Sequence, residues 1–208
     1  MRKVVVAIEG IHGCGKSTFI DKLEKAGRTV IDEGFMNNSM HKYSPKSIAR
    51  QTVWLASWIE RVTKATENAQ HEDYMPIYID RSMYSALMYN DNDDETRIMR
   101  QLIDRSEAEM QKQGIWIVKL VLTDKHEAAW LNIQQRLQLE PHRKNFNEHK
   151  REHYDAIWNK YYTENESLWD LKMVMPQSYP SDNVAIEHMD ELVREYVSNK
   201  NLGDAIWC

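Results

Sequence analysis

The sequence predicts an α/β fold, a parallel sheet of about five strands flanked by helices, and three observations predict it. An almost continuously apolar, β-branched run, Val4-Val5-Val6-Ala7-Ile8, opens the chain, and such a run suits a strand buried on both faces. It leads directly into Gly10-Ile11-His12-Gly13-Cys14-Gly15-Lys16-Ser17, a G-x-x-x-x-G-K-S pattern followed by helical spacing, which is the setting of a phosphate-binding loop (P-loop). Beyond it, strand-like and helix-like segments alternate along the chain, and that alternation calls for right-handed crossovers and a parallel sheet. At 208 residues the chain is expected to form one domain, residues 1–208, around a single core.

Each element follows from local pattern. After Lys16-Ser17-Thr18, the residues Phe19, Ile20 and Leu23 recur at helical spacing up to Gly27, and Thr29-Val30-Ile31 reads as a short second strand ending at Asp32-Glu33-Gly34. Ser44-Pro45 resembles a helix cap with proline in the first turn. A long helix from there towards Gln70 carries Ile48, Leu55, Trp58, Ile59 and Val62 on one stripe, so Trp54 and Trp58 read as packing residues. Pro76 to Ile79 is a third strand ending at Asp80-Arg81-Ser82, and a helix from about Asp94 carries Ile98, Leu102 and Ile103 and stops at Gly114. Ile115 to Leu122 is the fourth strand and Glu127 to Gln138 a helix. Glu140 to Asn147, containing Pro141, His142, Arg143 and Lys144, breaks the pattern and is expected to be a mobile loop. A polar helix to about Trp169, a strand from Leu171 to Met175, a loop through Pro180 and a last helix to about Asn199 complete the order.

Composition excludes several classes. The formal charge is −5 with acids and bases interspersed, which argues against extended nucleic acid as the main partner. Cys14 and Cys208 are the only cysteines, too few for a disulfide framework or a thiolate metal site, and the expected compartment is the cytoplasm. No cleavage pattern for a signal peptide is visible, and no apolar run approaches the roughly 18 residues of a membrane span.

The chemistry sits at strand ends. Glycine lets the backbone turn tightly and bring N–H groups onto phosphates, and three of the seven glycines, Gly10, Gly13 and Gly15, fall in the loop. Gly10, Ile11, His12, Gly13, Cys14, Gly15, Lys16, Ser17 and Thr18 are the candidate ATP-binding residues. Lys16 is expected on the β and γ phosphates, Ser17 as the ligand of the Mg2+ that accompanies ATP, and the following helix aims its positive end at the triphosphate. Cys14 reads as a small filler rather than a redox switch. In a parallel sheet the C-terminal strand ends line the ligand crevice, so Glu33, Asp80 and Arg81 are candidates for an acceptor-activating base and a cation facing developing phosphoryl charge.

The glycine loop, Asp32-Glu33, and the run Pro76-Ile77-Tyr78-Ile79-Asp80-Arg81-Ser82-Met83-Tyr84-Ser85 resemble the deoxyribonucleoside kinase and thymidylate kinase families, which share one fold. The resemblance covers nearly the whole chain and implies an ATP-dependent kinase acting on the 5'-hydroxyl of a deoxynucleoside. The alternatives it leaves are a deoxynucleoside monophosphate acceptor, or a modified base in DNA or another small alcohol. A non-enzymatic nucleotide switch is a further rival, although no guanine-reading Asn-Lys-x-Asp pattern occurs. By the resemblance, Glu33 is the base that takes the sugar hydroxyl proton, Asp80-Arg81-Ser82 matches the Glu-Arg-Ser or Asp-Arg of the two families, Tyr43 contacts the sugar 3'-hydroxyl and Gln51 reads the base.

Departures matter too. Ala86 and Leu87 stand where nucleoside kinases carry an acid and a base, which leaves the base preference open. Ile59 stands where thymidylate kinases grip the acceptor phosphate with arginine, so that only Arg50 or Arg61 could substitute. The families close an arginine-bearing lid, which maps to 139–151, with Arg136 and Arg143 as candidates and Gln138 where a further arginine is usual. They also imply a homodimer through long helices, with the tryptophan-bearing helix as first candidate. His149-Lys150-Arg151-Glu152-His153 spells the H-x-x-E-H of a zinc protease class, but its polar surroundings and the P-loop argue against that reading; Mg2+ is the only metal expected.

Overall fold

The apolar opening run forms β1 (Lys3–Glu9), and Val5 to Glu9 expose no surface. The computed structural model describes residues 2–32, 47–69, 75–90, 92–175 and 178–200, with only the backbone of Phe146. β1 pairs in parallel with β3 (Ile77–Asp80) on one side, from Val5 opposite Ile77 to Ile8 opposite Asp80. On its other side runs β4 (Ile115–Thr123), from Lys3 opposite Ile115 to Glu9 opposite Val121. β2 (Val30–Ile31) joins β3 and β5 (Leu171–Val174) joins β4, giving a five-stranded parallel sheet in the order β2-β3-β1-β4-β5. The loop leaving β1 therefore emerges at the centre of the sheet's C-terminal edge, beside the end of β3.

Helices cover the sheet. α1 (Lys16–Lys25) turns Phe19, Ile20 and Leu23 inward and ends before Gly27 at φ 78°. α2 (Ile48–Asn68) starts later than Ser44-Pro45 implied, because Ser47 is the cap and its hydroxyl accepts from Arg50 N at 3.3 Å; Ser44 and Pro45 lie outside the described residues. Trp54 and Trp58 are buried in the chain's own core, 4% and 0% exposed. A short helix, α3 (Ser85–Met88), was not anticipated.

α4 (Asp93–Lys112) is capped by Asn92, and its inward residues are Met99, Ile103 and Met110. Ile98 and Leu102 face solvent, at 43% and 38% exposure. The buried stripe thus runs through Met99, Ile103 and Met110, with Ile98 and Leu102 each one residue, about 100°, round the helix from it.

α5 (His126–Leu139) buries Ala129, Ile133 and Leu137. The expected irregular loop is instead partly a 3₁₀ helix, Pro141–Phe146, fastened by ion pairs of Arg143. α6 (Arg151–Asn159) continues into a π-helical turn, Lys160–Glu164, and a 3₁₀ turn, Glu166–Leu168, rather than one uninterrupted helix. α7 (Asp182–Asn199) closes the described chain, capped by Ser181. No described helix is long and apolar enough to cross a membrane.

Candidate phosphate-binding site

The loop between β1 and α1 passes through Gly13 at φ 80° and Gly15 at φ 82°, left-handed conformations that side chains disfavour. It is tied down from outside. The Asn132 amide donates to the Gly13 carbonyl at 2.9 Å. The Tyr162 hydroxyl accepts from Ile11 N at 3.4 Å while donating to the Leu122 carbonyl at 2.7 Å. Cys14 exposes no surface, and burial raises its thiol pKa to about 11, so it is a neutral filler.

Lys16 is buried and paired with the Asp80 carboxylate at the end of β3. Ser17 and Thr18 are exposed in the first turn of α1. His12 packs its ring 5.3 Å from that of Tyr89, and its Nδ1 lies 3.8 Å from Glu148 Oε1. Burial first, then the charges of Arg81, Lys16, Arg143 and Arg136, hold its pKa well below 6.5. All four cations act on this loop residue while each has an acidic partner of its own, Lys16 in Asp80, Arg81 in Glu9, Arg136 in Glu140 and Arg143 in Glu140 and Glu148.

Arg81 adopts φ 68°, its N–H donates to the Ile8 carbonyl and its own carbonyl accepts from Trp58 Nε1, both at 3.0 Å. Its Nη1 donates to the hydroxyls of Tyr89 at 3.1 Å and Tyr161 at 3.3 Å, and its guanidinium lies 5.3 Å over the Tyr89 ring. Burial pushes Tyr89 up to about 12 and Tyr161 well above its ordinary value, so both stay protonated at neutral pH. Behind Arg81, Glu9 exposes nothing and accepts from Ser82 N at 2.8 Å, Ser82 Oγ at 2.7 Å, Ser85 Oγ at 2.6 Å and the Tyr161 hydroxyl at 2.9 Å.

Of the residues singled out from sequence, the loop, Asp80 and Arg81 meet in one place, with Arg136 and Arg143 electrostatically coupled to it. Arg136 pairs with Glu140 at 3.2 Å; Arg143 pairs with Glu140 and, at 2.9 Å, with Glu148. Glu148 is 5% exposed, and its Oε2 has no hydrogen-bond partner. Gln51 is buried in the first turn of α2 next to the buried Arg50. Arg61 stacks over Trp54 and donates to the Asp32 carbonyl. Glu33 and Tyr43 lie outside the described residues. His149 sits in a turn before α6 begins at Arg151, so it does not share a helix face with His153.

Glu9, Tyr89, Asn132, Glu148, Tyr161 and Tyr162 escaped sequence reasoning. Glu9 alone carried a signal, an acid closing an otherwise apolar strand directly before the first loop glycine; the others come from distant elements.

For a metal, the site offers the Ser17 hydroxyl and the Asp80 carboxylate. Among the described residues no group of three or more His, Cys, Asp or Glu is arranged to hold an ion. This donor set fits a Mg2+ that arrives with phosphates and keeps water ligands, rather than one held in an all-protein cage.

A family model described as an AAA domain matches residues 5–169. No curated protein sequence gives a significant match. Among solved structures, deoxyadenosine kinase from M. mycoides with bound dATP matches with a TM-score of 0.59 at 15% identity, covering 91% of this chain and 99% of that one. The same enzyme with bound dCTP gives 0.58 at 14% identity over 91% and 99%, and with the products dCMP and a flexible dCDP, 0.57 at 17% over 92% and 99%. At these identities the likeness is one of fold.

Proposed function

Because the chain belongs to the AAA domain family, we propose that its glycine loop serves a P-loop kinase that transfers the γ-phosphate of ATP to the 5'-hydroxyl of a deoxynucleoside. The observation that carries this reading is the glycine loop between β1 and α1, left-handed at Gly13 and Gly15, with the buried Lys16 at its end paired to Asp80 at the end of β3. Loop amides cradle the phosphates, and Lys16 exchanges Asp80 for the β and γ oxygens. Ser17 would hold Mg2+, which when bound neutralises phosphate charge. Arg81 faces the charge that develops as the sugar 5'-oxygen bonds to the γ-phosphorus and the bond to ADP breaks. The acceptor proton passes to Glu33, with Asp80 as the alternative base, while Tyr43 contacts the sugar and Gln51 the base. Segment 139–151 closes as a lid, moving Arg136 and Arg143 onto the phosphates and excluding water. The fold likeness to a deoxyadenosine kinase whose structures hold dATP, dCTP, or the products dCMP and dCDP supports a deoxynucleoside as acceptor.

A monophosphate acceptor is the second reading, favoured by Arg50, a buried arginine one residue before Gln51. A modified base in DNA or another small alcohol is a further alternative. The reading also includes a cytoplasmic homodimer. It packs through long helices, with the outward face of α2, the tryptophan-bearing helix, as first candidate, since Trp54 and Trp58 themselves are buried.

The test is a phosphorylation screen with ATP over the common nucleosides and their monophosphates. Transfer to a deoxynucleoside is expected. Transfer to monophosphates alone selects the second reading, and transfer to neither class overturns both.

A further inference from the structure

A carboxylate stripped of water is costly unless donors and a countercharge replace the water. Glu9 is fully buried at the end of β1, and its two oxygens divide the work. Oε1 takes Ser82 N, Ser82 Oγ and Ser85 Oγ, all within 2.8 Å, and so pins the turn that follows β3. Oε2 accepts from the Tyr161 hydroxyl at 2.9 Å and faces Arg81 Nη1 at 3.8 Å.

We infer that Glu9 is a positioning residue for Arg81, holding the guanidinium in place for phosphoryl transfer; the inference rests on the kinase reading. Among the described residues, Arg81 is the one beside the loop whose backbone is both strained, at φ 68°, and clamped on each side, by Ile8 and Trp58. Strain of this kind is unfavourable and persists only where surroundings over-determine it. The groups that Glu9 holds, the Ser82–Ser85 turn and Tyr161, are the ones that flank Arg81. Tyr161 connects them directly, donating to Glu9 while accepting from Arg81 at 3.3 Å. It sits in the π-helical turn after α6, a distortion common at functional sites. An apolar side chain here would strand the Ser82, Ser85 and Tyr161 donors, but a neutral amide of the same shape could still accept from several of them, so pinning the turn does not by itself call for a charge. What the negative charge adds is orientation of a cation, with no reorganisation needed at the moment of transfer.

The experiment is a double-mutant cycle on the full chain with Glu9→Gln and Arg81→Ala, measuring kcat, KM for ATP and thermal stability. Glu9→Gln is expected to lower kcat about tenfold or more with KM for ATP within twofold. In the Arg81→Ala background it should change kcat little, because the two residues act as a unit. Glu9→Asp, which keeps the charge, should recover part of the loss. Independent, multiplying effects on kcat would overturn the inference, as would a folded Glu9→Gln protein with wild-type kcat. If Glu9→Gln fails to fold, Tyr161→Phe is run through the same cycle, with a smaller loss and the same non-additivity expected. A wild type that phosphorylates no nucleoside or monophosphate sinks the kinase reading instead, and the Glu9–Arg81 coupling is then read in ATP hydrolysis, where additivity again counts against it.

Discussion

The side-chain amide of Asn132 donates to the carbonyl of Gly13 at 2.9 Å, and this contact marks where α5 lies directly against the outer turn of the phosphate loop. A Cβ on Gly13 would stand 2.3 Å from the Ala129 carbonyl oxygen and 2.8 Å from Ile133 Cγ1. Gly13 is therefore required for close approach as well as for its φ of 80°. Gly13→Ala is expected to cost about 2–4 kcal/mol, lowering Tm by about 4–16 °C, and to weaken binding of a non-hydrolysable ATP analogue at least tenfold. Calorimetry and titration of the same variant check both; unchanged affinity would mean that the loop is not the nucleotide site.

Lys16 and Asp80 bury opposite charges together, so removing one leaves the other stranded. Lys16→Ala should abolish phosphoryl transfer and also destabilise the fold by about 3 kcal/mol. Adding Asp80→Asn should restore most of the stability without restoring turnover. Chemical denaturation of the single and double variants separates the two effects, and a double variant no more stable than Lys16→Ala would refute the pairing as the cause.

His12 gives the protein an acid-sensitive element. Its folded pKa is held below 6.5 by burial and by Arg81, Lys16, Arg143 and Arg136, with Glu148 and Tyr89 beside it. Between the folded pKa and about 6.5 the unfolded chain binds a proton that the folded chain does not, so stability rises with pH across that window and falls on acidification below about 6.5. His12→Gln should flatten this part of a Tm-against-pH curve. A bound triphosphate offsets the four cations, so binding near pH 6 should take up protons, measurable by titration calorimetry in buffers of different ionisation enthalpy. No uptake would place the phosphates away from His12.

Arg143 bridges Glu140 and the buried Glu148. Arg143→Ala should cost about 1–3 kcal/mol by stranding Glu148 and raise KM for ATP several-fold. Arg143→Ala with Glu148→Gln should regain stability while keeping the raised KM. If the double variant also regains the wild-type KM, Arg143 has no contact with the nucleotide.

Much of the molecule was legible in one dimension because its determinants are local. The run Val4 to Ile8, the loop glycines and the Lys16-Ser17 pair lie within fifteen residues of one another, and backbone conformation and periodicity act over that range. The strand that ends at Asp80 was legible for the same reason, and so was its adjacency to the loop, since a parallel sheet places strand ends on one edge. On α4 the sequence showed a helix carrying Ile98, Leu102 and Ile103 but not which face is buried, and packing put Met99, Ile103 and Met110 inside. Flexible methionines fill a face whose shape only the neighbouring helices set.

By itself, then, the sequence determined the parallel α/β order, the phosphate loop and the charged pair at the end of β3. The tertiary structure alone decided what surrounds them: Asn132 against Gly13, Tyr161 between Glu9 and Arg81, and Glu148 beneath Arg143. These contacts join residues roughly 5 to 150 positions apart. Even the nearest of them, Arg143 with Glu148, depends on a turn whose course is fixed by packing rather than by periodicity. Hydrogen bonds between distant side chains leave no trace in local pattern, because their geometry exists only once the helices have docked on the sheet.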